Sequence, residues 1–152
     1  MRLASAGAHL AFAAAAACAA GCVSLPAPQR QDGDAYANFL VARLANLSGD
    51  YQAASSRYDH ALALAPRDGE LLNGALIAAL ATGDGGRALE LARVEPMEGE
   101  PSAYARIVRA ADAIASGRYR AARVELEHVE GPAAEELTGS LLMNWARVGE
   151  SR

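Results

Sequence analysis

The side chains that could do chemistry in this chain are few, and their spacing assembles none of the common sites. Cys18 and Cys22 are its only thiols, and His9, His60 and His128 its only imidazoles. Glu125-x-x-His128 has the i, i+3 spacing that puts two metal ligands on one helix face. A helical metal centre needs matching residues from other helices, and no second Glu-x-x-His exists. There is no His-Glu-x-x-His, no glycine-rich phosphate loop and no Gly-x-Ser-x-Gly elbow. The residue set therefore predicts no enzyme, no metal and no cofactor. Glu135-Glu136 reads as a solvated face at a helix start, where carboxylates suit the helix dipole. All the basic residues are arginines; the formal net charge is −4 and no basic stripe stands out. Nucleic acid is excluded on that ground, because phosphate neutralisation dominates its binding.

Cys22 raises a different chemistry. Arg2 is followed by an uncharged, alanine-dominated stretch, Leu3 to Gly21, whose end runs into Cys22 as Ala19-Ala20-Gly21-Cys22. A positive start, a short apolar core and a small-residue cleavage site form a secretory signal. The last four residues resemble the lipobox of bacterial lipoproteins, in which the cysteine is acylated and becomes the new N-terminus. The family usually has leucine where this chain has Ala19. An ordinary secretory signal or a buried alanine-rich helix are the competing readings. The resemblance implies a signal peptide over 1–21, lipidation at Cys22 and a flexible tether over 22–34. It also implies attachment to the bacterial cell envelope on its periplasmic side, in the outer membrane because Val23 is not aspartate. No disulfide or thiol site would survive cleavage.

The elements beyond residue 34 are organised by a period. Gly49, Gly83 and Gly117 are 34 residues apart, and so are Ala54, Ala88 and Ala122. A fixed interval in this range marks a stacked repeat. Apolar residues at helical spacing flank Gly49, with Leu40, Val41 and Leu44 before it and Ala54, Tyr58, Ala61 and Leu62 after. Glycine permits the reversal, Asp50 can cap the following helix, and Pro66 ends it. The expected helices lie near 35–47, 51–64, 69–81, 85–94, 102–115, 118–129 and 133–148. Glycine, aromatic, alanine, aromatic, alanine and proline at 49, 51, 54, 58, 61 and 66 resemble the tetratricopeptide repeat (TPR) family. That resemblance implies an all-α, right-handed solenoid of about three antiparallel helix pairs plus a C-terminal helix. Its repeats would run over about 35–68, 69–102 and 103–132, with a terminal helix at 133–148. The second repeat departs from the pattern at Gly85-Gly86, Glu95 and Pro96, predicting a short helix and an irregular 95–101.

The family places a partner-binding groove on the first helix of each pair. The matching positions here are Tyr36, Phe39, Arg43 and Asn46, then Glu70, Asn73, Ile77 and Leu80, then Tyr104, Ile107, Ala111 and Ile114. Aromatic and aliphatic groups with a few polar ones suit a peptide or helix of a partner protein. The lysine, arginine and asparagine ring that clamps acidic tails in co-chaperone members is absent, with Phe39, Gly74, Tyr104 and Val108 at four of its positions. The expected function is a lipid-anchored scaffold or assembly factor at the envelope. A polysaccharide-binding module and an accessory subunit of an envelope enzyme are the alternatives. Leu141, Leu142, Met143, Trp145 and Val148 exceed what one neighbouring helix readily covers, so association through the last helix is a further expectation. Gly149-Glu150 resembles the Gly49-Asp50 turn and would end that helix.

Overall fold

The computed structural model of the chain describes residues 30–94 and 96–151. The expectations for the signal, for Cys22 and for the tether as far as Gln29 lie outside the described residues. So does Glu95.

The protein is all-helical, with seven α-helices and no strand among the described residues. They are α1 Arg30–Ser48, α2 Tyr51–Leu64, α3 Gly69–Thr82, α4 Gly85–Ala92, α5 Ala103–Ala115, α6 Tyr119–Leu126 and α7 Ala133–Glu150. The start of α1 lies inside the stretch expected as tether. α4 is short as expected, since Pro96 follows shortly after it. α6 also ends early, at Leu126, and Val129 then lies over Gly139 of α7.

The period is written into the backbone. Gly49, Gly83 and Gly117 hold φ of 80°, 77° and 70°, the left-handed region that glycine enters without cost. Space is not the reason, since a Cβ at any of the three would meet no neighbouring atom. Asp50 accepts from the Ala53 N–H and Asp84 from the Arg87 N–H, capping α2 and α4. Arg118 stands at the equivalent place before α6 and makes no side-chain cap.

Helices consecutive in the chain pack together from α2 to α7, except that α7 reaches back past α6 to α5 as well; α3 likewise touches α5. α1 joins through Ala42, with Phe39 and Ala45 packed on the same cluster. Of the 20 buried apolar residues among those described, 13 are alanine, which explains the close approach of the helices. Ala54, Ala88 and Ala122, one per period, are each fully buried. Two clusters result. One holds Tyr58, Leu62, Leu71, Leu72, Leu76 and Leu91 among alanines of α1 to α5, and the other holds Ala110, Ala113, Ala122, Leu126 and Ala146.

Two local expectations are corrected. Glu135 is buried, because its place in the first turn of α7 turns it toward α5; only Glu136 faces solvent. Gly149 is a helical residue in the last turn of α7 and not a reversal: the helix runs on through Glu150, and a Cβ at 149 would strike the Tyr119 ring. The missing side chain is what lets Tyr119 lie against α7. Glu150 instead binds Arg123 at 2.8 Å, with Arg120 at 3.6 Å.

Candidate functional site

Helical spacing brings the expected groove residues of α1 onto one strip. Tyr36 and Phe39 stand with ring centroids 6.3 Å apart and planes tilted by 39°. The Arg43 guanidinium lies 6.0 Å from the Phe39 ring centre, within cation–π range. The same guanidinium donates to Glu70 of α3 at 2.9 Å, so the strip crosses from one helix to the next. Tyr36 is 63% exposed, whereas Phe39 packs on the first core cluster.

Behind this strip the two helices are tied by polar contacts. The Asn46 amide donates to the Tyr58 hydroxyl at 3.4 Å and to the Gly74 carbonyl at 3.5 Å. Tyr58 fits only because residue 74 is glycine, since a Cβ there would sit 2.3 Å from the phenol ring. Burial raises the Tyr58 hydroxyl above its ordinary pKa, against the Asn46 hydrogen bond that lowers it. Asn46 and Asn73 each keep a buried Oδ1 without a hydrogen-bond partner.

Further along, Ile77, Tyr104 and Ile107 are half-buried and Leu80 is exposed. Tyr104 packs on the first cluster, and its hydroxyl faces the Glu135 carboxylate of α7. That contact, then burial, then the carboxylate charge raise the Tyr104 pKa. Ile114 packs against the second cluster beside Leu142 and Met143. The structure thus joins Tyr36, Phe39, Arg43 and Glu70 through direct contacts, while Asn46 bonds to Tyr58 and Gly74 behind them. Sequence spacing gave no sign of the Arg43–Glu70 and Tyr104–Glu135 links, because each joins residues on different helices.

The residues considered for metal or acid–base chemistry are occupied elsewhere. Glu125 binds Arg109 at 2.9 Å, and His128 lies beyond the end of α6 with Nδ1 3.1 Å from the Val124 carbonyl. Among the described residues no three His, Cys, Asp or Glu side chains converge as a metal site would require. Two small clefts of about 100 and about 150 Å³ lie between helices. The first includes Asn73, Leu76, Leu91 and Ala105, and the second is edged by Arg93, Arg109, Asp112 and Arg118. Both fall below the roughly 300 Å³ that small-molecule sites begin at. No described helix is long and apolar enough to cross a membrane.

No protein-family model matches this chain, and neither a curated protein nor a solved structure does.

Proposed function

We propose that this is a TPR-like, right-handed solenoid that binds a peptide or helix of a partner protein, held at the periplasmic face of the bacterial envelope by lipid on Cys22. The observation that carries the reading is the strip from Tyr36 through Phe39 and Arg43 to Glu70. It is continuous across two helices and mixes exposed aromatic surface with an exposed ion pair. Such a surface suits an extended chain or a helix laid along it more than a small molecule enclosed by it. The 34-residue recurrence of left-handed glycine and buried alanine, and the contacts of α3 with α5 and of α5 with α7, support the stacked arrangement.

A photoreactive residue tests the binding face. Placed at Tyr36 in cells, it should cross-link a protein in the envelope fraction. Placed at His60, exposed on α2, it should not. Equal capture at both positions, or retention of the chain by purified cell wall alone, would overturn the reading in favour of nonspecific contact or of glycan binding. The anchor has its own test: Cys22→Ser should release the chain from membranes and remove the acyl mass.

A further inference from the structure

The outer face of α7 carries an apolar row that no described element covers. Leu137, Leu141, Trp145 and Val148 are 62%, 61%, 70% and 53% exposed. At 3.6 residues per turn they fall within a sector of about 80° on the side opposite buried Gly139 and Ala146. Leu142 and Met143 turn inward onto the second cluster, so these neighbours do not belong to the row.

We infer that a second copy of this chain docks here, α7 against α7 in antiparallel two-fold fashion. The row is self-complementary in that orientation. Leu137 of one copy meets Val148 of the other, and Leu141 meets Trp145, each pair occurring twice. The exposed flank decides the orientation by charge. Glu136, Ser140, Asn144 and Arg147 lie along one side of the row. Antiparallel pairing brings that side onto itself, so Glu136 faces the other copy's Arg147 and Ser140 faces its Asn144. A parallel two-fold pair would instead set that side against the opposite flank, where Thr138 lies, and leave Glu136 and Arg147 without an opposite charge across the contact.

The exposed row on α1, Tyr36, Leu40, Leu44 and Leu47, repeats the i, i+4, i+8, i+11 spacing but offers no such match. Its flank holds Phe39, Arg43 and Asn46, and Arg43 and Asn46 are already bonded to Glu70 and Tyr58. A two-fold α7 contact closes on itself as a dimer, whereas α7 on α1 of the next copy would build larger rings or open chains. A membrane surface fits less well, because an interfacial helix carries a basic polar face and this flank balances one arginine with one glutamate. One helix face is a small interface, so the dimer should be of micromolar affinity.

Trp145 is the only tryptophan, which makes the contact visible. The full chain is studied in a density-matched detergent by sedimentation equilibrium and tryptophan emission over the micromolar range. A monomer–dimer equilibrium with emission moving blue as the dimer forms is expected. Glu136→Arg or Arg147→Glu alone should raise the dimer Kd by about tenfold, since each places like charges across both symmetric contacts. The two together should bring it back to near the parent value. Trp145→Glu should abolish the dimer; should that variant misfold by circular dichroism, the charge pair still decides. The inference fails if the chain stays monomeric throughout, or if the double reversal gives no recovery. It also fails if Leu44→Glu rather than Trp145→Glu removes association, or if the emission is blue at every concentration, as insertion into lipid would give.

Discussion

A carboxylate withdrawn from water and held by one phenol depends on that phenol more than on its own charge. Glu135 is 8% exposed, its Oε2 has no partner, and Tyr104 is the group that faces it. Tyr104→Phe should therefore cost about 1 kcal/mol in urea unfolding at neutral pH, because the carboxylate loses the hydroxyl that faces it. Glu135→Gln keeps an acceptor for the hydroxyl and removes the buried charge, so it should cost clearly less. The sign of the pH effect follows from the raised Tyr104 pKa. The folded protein holds that proton more tightly than the unfolded chain, so the stabilisation is full below the ordinary tyrosine value of 10.0 and declines as pH rises past it. Tyr104→Phe should flatten that part of the alkaline decline, leaving the share due to Tyr58, which burial also raises. Gly74→Ala makes a second residue-level test. Alanine gains up to about 1 kcal/mol of helix propensity over glycine. Here it would strike the ring of Tyr58, which is 3% exposed and cannot swing away. A net loss of about 1–3 kcal/mol is expected from overpacking.

The helices differ in how they begin, and that difference is measurable. Asp50 and Asp84 accept the N–H three residues on, so Asp50→Ala and Asp84→Ala should each cost about 1 kcal/mol in thermal or urea unfolding. Arg118 caps nothing and pairs with Asp112 at the surface, 2.7 Å away, so Arg118→Ala should cost between nothing and about 1 kcal/mol. These starts were legible in the sequence because a cap and a left-handed glycine are local: the glycine before a reversal and the aspartate after it act on atoms within four residues. The inner face of a helix is not local. In α7 the row at 137, 141, 145 and 148 has the spacing of a buried stripe, yet it lies outside, and the helix is seated by Gly139 and Ala146. In a core built largely of alanine, close approach selects small residues for the inside and leaves large ones on the rim. Apolar periodicity alone therefore separates Leu141 from Leu142 no better than it warns that Glu135 is buried. Gly149 misled for the same reason: its role is to admit Tyr119 from another helix, which no pattern within α7 reveals.

Across the whole molecule, the two core clusters share no residue, and α5 is the element common to both, through Ala105 on one side and Ala110 and Ala113 on the other. Where helices meet mainly their neighbours, stability is a sum of local interfaces and can be lost in parts. Leu76, 1% exposed in the first cluster, and Leu126, 6% exposed in the second, make separate probes of the two parts. Either change to alanine should cost about 2–5 kcal/mol where it acts. Hydrogen exchange should then lose protection regionally. Leu126→Ala should loosen α6 and α7 while α2 and α3 keep their parent rates, and Leu76→Ala should do the reverse. α5, held from both sides, should respond to both. If either substitution instead lowers protection by the same amount in all the helices, then the alanine seam through α5 couples the clusters into one cooperative unit, and regional loss is ruled out.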